Sequence, residues 1–150
     1  MSVRPPRFNH IAMSVTPAQL QGSGKDDLIA FYGAVFGWTH LPMMDDDGKR
    51  LVFQTYSLEQ FVYLHGDEAA MQCPRLDHYG FSVGTESELD AILERAVEYR
   101  TRDDRVDIID KSVDDHGMLA ITSIYVGYLL PMMVEIQWWD MKEHESRARA

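Results

Sequence analysis

Cysteine is nearly missing from this chain, where Cys73 stands alone. One thiol can neither close an intrachain disulfide nor build a thiolate zinc centre by itself, so a reducing compartment is expected. Basic residues are scarce as well: 14 Lys and Arg face 24 Asp and Glu, for a net charge of -10, and no basic run interrupts the acidity. A phosphate backbone or an anionic lipid surface is held mainly by clustered Lys and Arg, so no nucleic acid and no membrane partner is expected. Long apolar runs are lacking too. No segment approaches the roughly 18 residues that a bilayer-spanning helix needs, and MSVRPPRFNH is not followed by an apolar run of signal-peptide length. The expectation is a soluble cytoplasmic protein. Low-complexity sequence is absent, and 45% apolar with 25% charged residues over 150 positions suits one domain with a real core.

What the chain does contain is a repeat. FNHIAMSV at 8–15 returns as LDHYGFSV at 76–83, with histidine third in each copy. A helical stripe follows in both halves: Leu28, Phe31, Tyr32, Val35 and Phe36, then Leu89, Ile92, Leu93, Ala96 and Val97, at i, i+3, i+4, i+7 and i+8. Thr85 and Glu88 form a capping-box pattern before the second helix. Asp26 or Asp27 is expected to open the first, after a loop containing Gly22 and Gly24. The octets lie 68 residues apart and the stripes 61, because TPAQLQGSGKDD is seven residues longer than GTESE.

Strand-like runs separated by turn signals come after each helix. The first half has WTHLPM, the turn DDDGK, RLVFQTYS and QFVYLHG; the second has VDIIDKS, the turn DDHG, MLAITSIYVG and PMMVEIQWW. Each half therefore reads as strand, helix and three strands. Module one is expected over about 8–65, a connector over 66–75, module two over about 76–140 and a charged, frayed tail with an exposed His144 over 141–150, all within one domain spanning 1–150.

Alternation along a strand assigns side chains to faces. His10, Ala12 and Ser14 share one side and Ile11, Met13 and Val15 the other; His78, Gly80 and Ser82 oppose Tyr79, Phe81 and Val83. The bulky face should pack on the helix, which leaves the histidine face free to line a cavity. In MVEIQWW, Val134, Ile136 and Trp138 take the apolar side, and Met133, Glu135, Gln137 and Trp139 the other. A carboxylate hemmed by apolar residues is costly to desolvate unless a cation or hydrogen-bond donor meets it. Two imidazoles and a carboxylate suit divalent Fe, Mn, Zn or Ni. The same groups could instead hydrogen-bond a ligand, or each other, in a metal-free cavity.

On the paired βαβββ pattern, the two octets, the helix end AFYGAVFGW and the terminal VEIQ, the chain over roughly 8–140 resembles the vicinal oxygen chelate superfamily. That family includes glyoxalase I, extradiol dioxygenases, methylmalonyl-CoA epimerase, and bleomycin and fosfomycin resistance proteins. The resemblance implies an α+β fold in which two βαβββ modules form a curved mixed sheet around a central cavity. It nominates His10, His78 and Glu135 as metal ligands. Aligning FVYLH with MVEIQ puts Tyr63 at the fourth ligand place, with His65 two residues on as a substitute if the register shifts.

Three ligands match the extradiol dioxygenases, so the resemblance implies Fe(II) that binds a catechol-like substrate and O2, with His116 as acid or base and Tyr125 as hydrogen-bond donor. The Pro-x-Gly segment of the dioxygenase signature is missing: Tyr128, Leu129, Leu130 and Pro131 stand in its place. A solvated hairpin at DDHG and a packing role for Tyr125 are the simpler alternatives. The competing enzyme reading is a glyoxalase- or epimerase-like lyase or isomerase with four ligands, using Zn, Ni or Mn to stabilise an enediolate while a carboxylate moves a proton. A metal-free, drug-sequestering protein is the third reading. Tyr63, Gln137 and Trp139 are candidate substrate contacts, and a homodimer is compatible with the resemblance. Asp45, Asp46 and Asp47 read as a hairpin turn with Gly48 at positive φ. Met43, Met44, Met132 and Met133 read as pocket wall or core filler.

Overall fold

The computed structural model describes residues 4–141, and the expected tail with His144 lies outside the described residues apart from Met141. The chain divides into two compact units, Met1–Gln72 and Cys73–Ala150, a boundary inside the expected connector. Each is a βαβββ module. In the first, β1 (His10–Val15) leads through a 3-10 turn at Pro17–Leu20 into α1 (Gly22–Phe36), followed by β2 (Thr39–His40), β3 (Arg50–Gln54) and β4 (Phe61–Gly66). The second has β5 (His78–Val83), α2 (Glu86–Arg100), β6 (Asp107–Asp115), β7 (Ala120–Gly127) and β8 (Met133–Asp140). Both sheets are mixed and have the same order, first strand, last strand, then the two between: β1-β4-β3-β2 and β5-β8-β7-β6. The first and last strands pair in parallel, and the other neighbours are antiparallel.

Helix α2 begins where its sequence signals. Thr85 accepts from the Glu88 backbone N–H, while the Glu88 carboxylate accepts from the Thr85 backbone, so two otherwise orphaned donors are satisfied. Helix α1 begins earlier than expected. Gly22 and Gly24 lie in its first turn, not in a loop, and the longer connection forms the Pro17–Leu20 turn packed against it. A Cβ at Gly24 would stand 2.5 Å from the Ala18 carbonyl oxygen. Glycine is there because two backbones touch.

The apolar stripes face inward as their spacing predicts. Leu28, Phe31, Tyr32 and Val35 are buried in module one, where Tyr32 stacks on Trp38 at 4.9 Å and meets Phe53 of β3 at 5.7 Å. In module two, Leu89, Ile92 and Ala96 are buried, as are Tyr79, Ile124, Val134 and Ile136 of the sheet beneath α2. Val97 lies outside the stripe's buried part, at 42% exposure. Both expected hairpin glycines adopt positive φ, +74° at Gly48 and +82° at Gly117, the region L-residues avoid. Among the described residues, no helix is long and apolar enough to cross a membrane.

Candidate functional site

In module two the strand register gathers the site. Gly80 of β5 pairs with Glu135 of β8, which pairs with Tyr125 of β7, so these three form one cross-strand row. The next row holds Ser82, Gln137 and Ser123. His78, Gly80 and Ser82 are exposed and Tyr79 opposite is buried, as alternation requires. Glu135 is itself buried, with 6% of its surface exposed. It fits there because its neighbour on β5 has no side chain: a Cβ at Gly80 would lie 3.3 Å from Glu135 Oε2.

A buried carboxylate needs donors, and Glu135 has them. Gln137 Nε2 donates to Oε1 at 3.0 Å. The Tyr125 hydroxyl also bonds Glu135; burial first, and then that carboxylate, push its pKa up to about 12, so it stays a protonated donor. His78 Nε2 stands 3.3 Å from Oε2. The other ring nitrogen, Nδ1, donates to the Leu76 carbonyl at 2.7 Å, because a carbonyl oxygen only accepts. Fixed in that tautomer, a neutral His78 turns the Nε2 lone pair toward a carboxylate oxygen. Two acceptors so close call for a cation between them, either a proton or a metal ion.

Module one presents the corresponding positions with other chemistry. His10 is exposed, stacks flat on Phe61 at 4.8 Å and contacts Asn9 Oδ1 through Nδ1 at 2.7 Å. The β1–β4 register is unbroken, with Ala12 opposite Tyr63 and Ser14 opposite His65. Tyr63 thus occupies the place of Glu135, and His65 that of Gln137.

The remaining candidates scatter along module two. His116 is exposed at the β6–β7 hairpin tip, where its backbone N–H bonds the Leu119 carbonyl. Tyr125 pairs five positions beyond Ala120 on β7, about 16 Å along the strand at some 3.3 Å per residue. The structure brings Tyr125 to His78, with ring centroids 5.1 Å apart, and leaves His116 at the other end. Trp139 shares the Glu135 face and donates its indole N–H to Gln137 Oε1 at 2.9 Å, while Trp138 lies half-buried. A pocket of about 520 Å³ is lined by Gly80, Phe81, Ser82, Val83, Gln137 and Trp139. Of the methionines, Met133 is buried beside this site and Met43 is exposed. Among the described residues, no group of three or more His, Cys, Asp or Glu side chains is arranged to hold a metal ion.

One cluster exceeded what DDDGK revealed. Asp45 Oδ2 takes Lys25 Nζ at 2.8 Å and His40 Nε2 at 2.6 Å, tying the first turns of α1 to β2. Its side chain is only 10% exposed, and Oδ1 is buried with no hydrogen-bond partner among the described residues. Nothing in the local sequence distinguishes Asp45 from Asp46 and Asp47, because partners distant along the chain make the difference.

No protein-family model matches the chain, and no curated protein sequence matches it. Solved structures do. The fosfomycin resistance protein FosX of Listeria monocytogenes superposes with a TM-score of 0.62 at 13% identity, covering 93% of this chain and 98% of its own. A lactoylglutathione lyase from Agrobacterium tumefaciens gives 0.62 at 17% identity, over 90% of this chain and 95% of that one. A glyoxalase family protein from Bacillus anthracis gives 0.62 at 14%, over 93% and 100%. At such identities the likeness shows the fold alone, the paired βαβββ modules of the glyoxalase/bleomycin resistance fold.

Proposed function

We propose that this protein is a divalent-metal-dependent enzyme acting on a small, oxygen-bearing molecule, by lyase or isomerase chemistry of the glyoxalase type. The observation that carries the reading is the approach of His78 Nε2 to Glu135 Oε2, 3.3 Å apart, with Nδ1 already committed to Leu76. A second-position N–H···O=C bond is how metal-binding histidines are usually oriented. In this reading His78 and Glu135 hold the ion, and Zn, Mn, Ni or Fe(II) is acceptable to an imidazole and a carboxylate. The ion would act as a Lewis acid on substrate oxygens. Tyr125 keeps its proton and offers it as a hydrogen bond beside the carboxylate, and the pocket beside Trp139 receives the organic part of the substrate. The fold-sharing fosfomycin resistance protein and lactoylglutathione lyase support small-molecule chemistry of this kind. A homodimer belongs to the same reading.

A second reading, extradiol-type dioxygenation with Fe(II), is supported by one feature: the module-one counterpart of Glu135 is Tyr63, not a second carboxylate. Metal analysis of protein purified without chelators or a histidine tag should find a divalent ion bound. Glu135→Gln should weaken that binding by more than about 100-fold, beyond the 10- to 100-fold typical of outer-shell partners. Iron with O2 uptake on catechols selects the dioxygenase, and Zn, Ni or Mn without O2 uptake the lyase or isomerase. A wild-type protein that takes up none of these ions, yet binds an aromatic compound tightly, overturns both in favour of sequestration.

A further inference from the structure

Beyond Glu135 on the same face of β8 come Gln137 and Trp139, and the three side chains are joined head to tail. The direction of this chain is not arbitrary. An indole N–H can donate and cannot accept, so the Gln137 oxygen must face Trp139 and the amide nitrogen must face Glu135. The opposite amide orientation would set N–H against N–H at one end and oxygen against carboxylate at the other. Trp139 therefore decides which way Gln137 points, and Gln137 occupies Glu135 Oε1. Oε2 faces His78 Nε2 at 3.3 Å.

We propose that Gln137 and Trp139 are positioning residues that fix the Glu135 carboxylate in one orientation and couple it to the adjoining pocket. Gln137 and Trp139 both line that pocket, so whatever enters it touches the groups that hold the carboxylate. Module one has no such device: His65 stands where Gln137 does, its ring 6.4 Å from Tyr63 and tilted against it. The inference rests on the metal reading for its consequence and on the hydrogen bonds alone for its mechanism.

The full-length protein provides both tests. In metal-free samples, nitrogen-15 spectra resolve the indole N–H signals, and Trp139→Phe assigns its own by removing it. Gln137→Leu should move nearly all the shift contribution of that hydrogen bond, and Glu135→Gln should move the same signal through the amide. Isothermal titration with Zn2+ should then show about a tenfold loss of affinity in Gln137→Leu, within the range of outer-shell partners, and a smaller loss in Trp139→Phe. Circular dichroism and melting checks that each variant is folded. A Trp139 signal indifferent to Gln137→Leu overturns the proposal whatever the metal does. Unchanged Zn2+ affinity in Gln137→Leu overturns it too. If wild-type protein binds no divalent ion while the indole signal responds to both variants, the metal reading fails and the chain stands as the support of a buried carboxylate.

Discussion

The two modules share a strand order, a helix stripe and a first-strand histidine, and they differ at three register positions. Opposite His10, Ala12 and Ser14 stand Phe61, Tyr63 and His65; opposite His78, Gly80 and Ser82 stand Met133, Glu135 and Gln137. Module one fills its row with rings, and His10 lies flat on Phe61. Module two fills it with a buried acid that takes bonds from an amide and a phenol. The backbone repeat therefore carries the scaffold, and the proposed chemistry rests on what was written differently in the second copy. Gly80 adds to the contrast, since a Cβ there, as Ala12 has, would lie 3.3 Å from Glu135 Oε2.

That contrast can be broken most severely at Gly80. A valine there puts branched carbons where even a Cβ would come within 3.3 Å of Glu135 Oε2. The carboxylate must swing away, and Zn2+ affinity should fall by about 100-fold, comparable to losing the best outer-shell support. Ala12→Gly, the reciprocal change in module one, should cost no more than about 1 kcal/mol of stability, the usual entropic penalty of glycine in a strand. Titration calorimetry and thermal melts read both. Equal effects of the two substitutions on metal binding would remove the asymmetry.

How much of this was legible in the sequence follows from what each feature depends on. The modules, both helix stripes, the Thr85 cap and the face carrying His78 and Glu135 rest on local periodicity, which survives folding because the elements are long enough to express it. The equivalence of Tyr63 with Glu135 was also readable, from aligning the last strands of the two modules. The start of α1 was not: a glycine usually marks a loop, and the reason for Gly24, the approach of Ala18 from a preceding turn, is a tertiary contact. The burial of Asp45 depends on Lys25 and His40. The direction of the Trp139–Gln137–Glu135 chain needed distances, although the residue types at alternate positions already hinted at it.

A smaller effect distinguishes the ends of the modules. In module two, Tyr128 donates its hydroxyl to Asp103 Oδ2 at 2.7 Å and accepts from Arg105 Nη2 at 2.9 Å. The Arg105 guanidinium and then this phenol hold the Asp103 carboxyl well below the usual carboxylate range. A folded-state pKa below the unfolded value of about 3.9 contributes stability that is fully present above that value and is lost as pH falls through the folded one. Tyr128→Phe should therefore cost about 1–2 kcal/mol at pH 7, the scale of a hydrogen bond to a charged group. The gap in melting temperature between variant and wild type should narrow only in strong acid, as Asp103 protonates in the folded state, because protonation of the unfolded chain is common to both. A gap that stays constant into strong acid would mean the loss is one of packing alone.

The smallest expected difference lies at the helix N-termini, where each module uses a lysine. Lys25 of α1 meets Asp45 and Asp47 at 2.8 Å, and the Asp45 side chain is 10% exposed. Lys111 of β6 reaches Glu86 at 3.1 Å, and Asp90, on the first turns of α2, and these carboxylates are 46% and 43% exposed. Removing a partner from a shielded acid leaves a charge that water cannot fully reclaim, whereas exposed partners are rehydrated at once. Lys25→Met should cost about 1–2 kcal/mol, with Asp45 left to His40. Lys111→Met should cost less than about 0.5 kcal/mol and vanish in high salt. Denaturant melts at low and high ionic strength measure both, and a Lys111 effect as large and as salt-resistant as that of Lys25 would show that exposure does not separate the two lysines.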